Sequence, residues 1–215
     1  MDDICFTSVC FGDRRYCEQQ LRLKKSILDI YPNANLNFYY DRVPASAKSF
    51  VTSLYGFKVH AINESRSFGF KKVIWLDPAM VLIKELDGRL LQNPVVAVKD
   101  DHKLDKLISE QCLNYYSLTR EQLFREDWRL VGGSLYYFDF NVQVAEDIFL
   151  TWHNAEKEGL FGSQAEAASE QIQGHRNDES CMAVAMYIND VQPKPGPDVG
   201  YCIEKNTIFS KKHFK

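Results

Sequence analysis

No apolar run in the chain approaches the ~20 residues that a membrane-spanning helix needs, so no transmembrane segment is expected. Charge of one sign is also lacking. The 26 Lys and Arg residues stand against 29 Asp and Glu, a net charge of -3. Nothing in that balance draws the chain to nucleic acid or to an anionic membrane. The basic pairs Arg14-Arg15, Lys24-Lys25, Lys71-Lys72 and Lys211-Lys212 read as solvated faces. The six cysteines show no CxxC spacing and sit mostly in apolar patterns. They read as buried thiols of a reducing compartment and not as disulfides or a zinc site. The acidic start Met1-Asp2-Asp3-Ile4 enters a strand at once, which predicts no signal peptide and a cytoplasmic location.

Several standard chemistries lack their signature. There is no GxxxxGK[ST] and no GxGxxG, which removes support for P-loop and dinucleotide-binding readings. There is no GxSxG elbow and no HExxH. The five histidines show no metal-ligand spacing.

What is present is an alternation of strands and helices. At 215 residues the chain suits one compact domain with a sizeable core. Residues 4–9 read as a buried strand and 14–31 as a helix ended by Pro32-Asn33. Residues 36–40 read as a second strand. Residues 45–55 read as a helix stopped by Gly56, and 58–62 as a third strand. Strands are further expected at 73–76, at 95–98 before Lys99-Asp100-Asp101, and at 135–138 after Gly132-Gly133-Ser134. Ala145, Ile148, Phe149 and Trp152 mark an amphipathic helix over 142–158, and Asn177 or Asp178 caps a last one. The alternation predicts an α/β fold, a mostly parallel central sheet with helices on both faces.

The most informative run is Lys72 to Leu86. An apolar strand delivers Asp77 to its carboxyl end, Pro78 turns the chain, and a second short apolar run follows. Open α/β sheets bind ligands outside the carboxyl ends of their strands. Other polar strand ends join it: Thr7-Ser8-Val9 with Asp13 and Tyr16, then Asp100-Asp101, then Gly132-Gly133-Ser134. Asn177-Asp178-Glu179 adds a helix N-terminus.

These segments, in this order, resemble GT-A glycosyltransferases, particularly the retaining glycogenin and bacterial galactosyltransferase-like families. VIWLDPAMVLIKEL, residues 73–86, is similar to their VLYLDADTLVLKDL stretch. GGSLYYFD, residues 132–139, is similar to NAGVMLFN, and RNDESCMAVAMY, residues 176–187, to NDQDALN. The likeness covers roughly residues 4 to 190 and extends to the N-terminal domains of glycosyltransferases encoded by chloroviruses, which would make this a viral protein. It implies a single GT-A catalytic domain over 1–215, or the N-terminal part of a longer chain. It departs from the family at one place: the usual Asp-X-Asp has Ala79 in its third position.

The resemblance assigns roles. Transfer from a nucleoside diphosphate sugar expels a diphosphate, whose growing charge needs a divalent cation or basic side chains. Asp77 is the implied ligand of Mn²⁺ or Mg²⁺, with His213 as a remote ligand that favours Mn²⁺. Because Ala79 offers no side-chain oxygen, coordination would lean on water and the diphosphate. The backbone of Thr7, Ser8 and Val9 would face the uracil, Tyr16 would stack on it, and Asp13 would lie in the same loop. Arg66 would pair with the diphosphate. Asp100 or Asp101 would bind sugar hydroxyls, Gly132 and Gly133 would line the substrate, and Asp178 or Glu179 would lie under the sugar. The implied partners are a UDP-sugar donor, UDP-glucose or UDP-rhamnose, and a glycan acceptor, on a monomer. Two other readings fit the residues: a sugar-nucleotide nucleotidyltransferase, whose Gly-rich loop is reduced here to Gly12, and a non-catalytic UDP-sugar-binding module, for which Ala79 argues.

Overall fold

The computed structural model describes residues 3–167, 174–195 and 203–205. Strand β1 (Ile4–Cys10) is buried at every position. Helix α1 (Arg14–Ile30) is capped by Asp13, whose carboxylate accepts from the Arg15 amide at 2.8 Å. Its Leu23 and Ile27 pack on the sheet. Then come β2 (Asn35–Tyr40), α2 (Phe57–Ser67), β3 (Lys72–Leu76), β4 (Met80–Leu82), α3 (Gly88–Leu91) and β5 (Val95–Lys103). The short helices α4 (Glu110–Tyr115) and α5 (Arg120–Arg125) lead to β6 (Arg129–Asp139), α6 (Gln143–Lys157), α7 (Gln164–Ala167), α8 (Asp178–Ile188) and β7 (Ile203–Lys205).

The main sheet has the order β2-β1-β3-β6-β5. β1 pairs in parallel with β2 and β3, whereas β6 is antiparallel to both β3 and β5. Four strands therefore point one way and β6 is reversed, giving the expected α/β class with a mixed sheet. Alternate side chains separate into two cores. Phe6, Ile74, Val96 and Tyr137 meet α1 on one face. Val73, Trp75, Ala97, Tyr136 and Phe138 meet α2, α6 and α8 on the other.

Two expected elements change identity. Residues 45–55 form successive turns instead of a helix. Ser49 and Thr52 bond each other, and Thr52 Oγ1 donates back to the Ser49 carbonyl at 3.0 Å. Such local bonds compete with helix formation. The expected strand at 58–62 is instead the first half of α2. Parallel strands need a crossover, usually a helix, and this segment is the crossover from β2 to β3. Lys58 and His60, the polar members of this segment, are buried as well as its apolar ones, so no helical stripe marks it in the sequence. β5 and β6 also run longer than expected, so Gly132 and Gly133 lie inside a strand and not ahead of one.

Cys5, Cys10, Cys17, Cys112 and Cys181 are buried free thiols, as expected, and Cys202 lies outside the described residues. Among the described residues no helix is long and apolar enough to cross a membrane.

His175 ties three elements together just before α8. Its Nδ1 accepts from the Ser109 amide at 3.2 Å, and its Nε2 lies 2.9 Å from the Leu160 carbonyl. Both bonds hold only for the neutral ring protonated at Nε2. Burial accordingly pulls its pKa down to about 4 from 6.5. His153 is pulled down to about 4 as well, again by burial. A depressed histidine contributes stability above its unfolded pKa and loses it as pH falls, here from about 6.5 towards 4. A tenfold difference in proton affinity between folded and unfolded chain is about 1.4 kcal/mol. The thermal midpoint is therefore expected to drop as pH is lowered from 7 to 4.5. His175→Gln, which keeps a donor and an acceptor without titrating, should flatten that slope. A His175→Gln protein with the parent's slope would exclude this residue as its source.

Candidate active site

α1 carries the chain from β1 to β2 over one face, and α2 returns it past β1 to β3 over the other. The strand order reverses at β1, and the carboxyl ends of strands at such a reversal are where open α/β sheets bind their ligands. β1 continues past its pairing with β3, which ends at Thr7 opposite Trp75, so Ser8 to Cys10 have a ladder partner only in β2.

Asp77 follows β3 directly. Its amide donates to the Ser134 carbonyl at 2.9 Å, and its own carbonyl accepts from Met80, closing the Pro78-Ala79 turn. Its side chain is 35% exposed. Oδ1 accepts from the Trp75 indole at 3.2 Å, while Oδ2 has no hydrogen-bond partner among the described residues. The turn is braced from α1, where Arg22 donates to the Ala79 carbonyl at 3.3 Å.

Beside Asp77 stands Lys58, from the first turn of α2. Its ammonium lies 3.8 Å from Asp77 Oδ1, 2.8 Å from Asp178 Oδ2 and 3.0 Å from the Gly133 carbonyl. The rings of Tyr55, Trp75 and Tyr136 surround it at 5.1, 5.7 and 5.8 Å. Lys58 is 4% exposed and Asp178 2% exposed, so the pair is dry. Burial pulls Lys58 down, but Asp178 and then Asp77 outweigh it, and the ammonium is held above its ordinary value. Burial pushes the Asp178 carboxyl up to about 6 despite Lys58.

Gly133 is the hub of this arrangement. Its carbonyl accepts from Lys58 and from the Trp75 indole at 3.1 Å, and its amide donates to Glu179 Oε1 at 2.9 Å. A Cβ here would lie 2.6 Å from the Lys58 ammonium and 3.1 Å from Glu179, so any side chain at this position would push the ammonium from its place. Gly132 has no such constraint. Arg176 joins the rim through Glu179 Oε2 at 3.0 Å.

The structure thus brings Asp77, Gly133, Asp178 and Glu179 together around a lysine that the sequence reading missed. Lys58 opened an expected strand and was given no role in the site. Of the other expected site residues, Tyr16 is 53% exposed in the first turn of α1. Ser8 Oγ is buried without a hydrogen-bond partner among the described residues. Thr7 donates to the Asn37 carbonyl, and Val9 packs in the core. Asp13 is the helix cap, and hydrogen bonds from Arg15 hold its carboxyl below the usual range. Asp100 and Asp101 lie on β5. Asp100 accepts from the His102 amide at 2.9 Å, and Asp101 is exposed. Arg66 is not brought to the site. α2 runs back from the carboxyl edge, so Arg66 lies two turns away, paired with Glu146 at 2.6 Å and stacked on Phe140. His213 lies outside the described residues.

A divalent cation finds one ligand here, Asp77. Ala79 has no side-chain oxygen, its carbonyl already accepts from Arg22, and Lys58 occupies the other side of Asp77. Among the described residues no group of three or more His, Cys, Asp or Glu side chains could hold a metal ion. The described residues alone do not make a metal site.

Neither a family model nor a curated protein matches the chain. Among solved structures, the apo WbbM bifunctional glycosyltransferase is similar at 14% identity and a TM-score of 0.51. The likeness covers 91% of this chain and 39% of that one, so this chain spans about two fifths of the WbbM chain. A glycosyltransferase involved in the glycosylation of the major capsid of PBCV-1 gives 11% identity and a TM-score of 0.44, over 79% of this chain and 75% of that one. At its identity the WbbM likeness shows a shared fold and nothing finer.

Removing one partner of a buried ion pair costs about 3–5 kcal/mol, because the other charge is left uncompensated. Lys58→Met should destabilise the protein by roughly that amount in urea unfolding. The loss should be larger at pH 8 than at pH 5, because a raised Asp178 carboxyl is neutral at low pH and its stability contribution is lost as pH rises. Adding Asp178→Asn to Lys58→Met should recover stability at pH 8. A double variant no more stable than the single one would show that Asp178 is not the stranded charge.

Proposed function

We propose that the chain is a GT-A-type glycosyltransferase domain that moves a hexose from a UDP-sugar to a glycan acceptor. The observation that carries this reading is the pairing of Asp77, half open at the carboxyl end of β3, with the buried Lys58 ammonium 3.8 Å away. That pairing lies at the crevice where a ligand of an open α/β sheet binds. The shared fold with WbbM is consistent with it.

In this reading the bond between the sugar's anomeric carbon and the diphosphate breaks while a bond from that carbon to the acceptor oxygen forms. The acceptor's proton passes to the leaving diphosphate, so no side-chain base is required and configuration is retained. Negative charge grows on the diphosphate, and a preorganised cation in a dry site stabilises it more than one in water does. Lys58 supplies that cation, and Asp178 is a positioning residue that holds it. Tyr16 stacks on the uracil, with the backbone of Thr7, Ser8 and Val9 beside it. Asp100 or Asp101 takes sugar hydroxyls. UDP-glucose and UDP-rhamnose are the donors to try first. If Mn²⁺ or Mg²⁺ takes part, Asp77 would hold it, with His213, which lies outside the described residues, as the second side chain and water and the diphosphate completing the set, and it would supply further positive charge to the leaving group.

Ala79 favours one competitor, a UDP-sugar-binding module without catalysis. Calorimetry with UDP, with and without Mn²⁺, followed by UDP release from a panel of UDP-sugars, separates the two. Tight binding without release would support the module, and affinity for GDP or CMP in place of UDP would contradict both.

Asp77→Ala is expected to lower turnover by on the order of a thousandfold with the fold intact. Asp77→Asn keeps the acceptor for the Trp75 indole but removes the charge. It should lose most activity if charge is what matters, and little if Asp77 only grips the ribose. A folded Asp77→Ala protein that transfers sugar at the parent's rate with Mn²⁺ present would overturn the assignment.

A further inference from the structure

Tyr55 stands at the mouth of the Lys58 cluster in a backbone conformation that tyrosine rarely adopts. Its φ is +61°, in the left-handed region that favours glycine. The following residue, Gly56, has no such strain but is pinned, because a Cβ there would run into Ser53 Oγ and Glu156. The Leu54 amide is tied to the Gly162 carbonyl at 3.0 Å, and the Tyr55 carbonyl accepts from the Lys58 amide at 3.1 Å. The turn is therefore fixed on both sides, and the ring is held where it is.

Tyr55 is 40% exposed. Its ring lies 5.1 Å from the Lys58 ammonium, edge-on to Phe50 at 5.3 Å, with Phe57 at 6.1 Å behind. Its hydroxyl makes no hydrogen bond among the described residues. Burial and then the Asp178 carboxylate hold the phenol above its ordinary range, with Asp77 and Tyr16 adding to the effect. Tyr55 and Asp77 thus flank one ammonium, an apolar ring face beside a half-open carboxylate. A pyranose matches that combination, with C–H groups for the ring and hydroxyls for the carboxylate.

Resting on the hexose-transfer reading, we propose that Tyr55 is the stacking platform for the donor's hexose and contributes to selecting the sugar, while the nucleotide is held elsewhere. Glycine would suit this backbone better than tyrosine, so the aromatic ring is kept at a cost in backbone strain. A ring retained only for packing would behave in the opposite way, since its removal would weaken the fold.

The experiment measures affinity for UDP and for UDP-hexoses, together with the unfolding midpoint, in Tyr55→Gly and Tyr55→Phe. Tyr55→Gly is expected to keep the parent's UDP affinity and an unfolding midpoint at or above the parent's, and to bind the UDP-hexose roughly tenfold more weakly. Tyr55→Phe, which keeps the ring face, should stay within about twofold of the parent on both ligands. UDP-hexose affinity unchanged in Tyr55→Gly, equal weakening towards UDP and UDP-hexose, or a clear fall in the midpoint would each overturn the proposal. A parent that binds UDP but no UDP-hexose would overturn it while leaving the nucleotide site in place. A parent that binds neither would remove the hexose-transfer reading along with it.

Discussion

Everything at the carboxyl edge of the sheet depends on one buried ammonium. Lys58 is surrounded by Asp178, Asp77, the Gly133 carbonyl and three aromatic rings, and almost no water reaches it. An unpaired charge in such a place would cost several kcal/mol, so its partners are obligatory. Asp178 must come from the start of α8, the carbonyl from a kinked stretch of β6, and Asp77 from the end of β3. One side chain thereby fixes the relative positions of four elements distant in sequence.

The kink in β6 shows what this requires of the backbone. β6 pairs with β5 from Val95 to Ala97, and the register then jumps so that Val98 lies opposite Gly132. The displaced residues include Gly133 and Ser134. Freed from β5, Gly133 turns its carbonyl to Lys58 and its amide to Glu179, and Ser134 accepts from Asp77. Bulges next to functional sites re-aim groups in this way. A side chain at 133 would displace the ammonium, which explains the glycine without appeal to flexibility.

The rest of the crevice follows from connectivity. α1 covers one face of the sheet and α2 the other, and the segments that follow β1 and β3 carry Tyr16 and Asp77 to the same edge. α2 begins at that edge and ends at the other, so Lys58 is at the crevice and Arg66 is not. Arg66 is used instead on the α2–α6 seam, where it pairs with Glu146 and covers Phe140. The choice between these two cations was made by helix direction.

The sequence by itself determined the elements whose burial is one-sided or complete. β1 and β3 are short, largely apolar runs, and the stripe of α6 has helical spacing. Asp77 was legible because a lone carboxylate closes an apolar strand, and Asp178 only through the likeness of its helix start to NDQDALN. The sequence did not disclose α2, since its polar residues are buried and erase the periodicity that separates a helix from a strand. Nor did it disclose Lys58, Tyr55 or the role of Gly133. A lysine in a sequence reads as solvent-facing until a fold supplies carboxylates to receive it. A glycine inside a strand declares no partner, and a positive φ at tyrosine leaves no mark in composition. Those three depend on distances between residues up to 120 positions apart along the chain, and only the packed tertiary structure decides such distances.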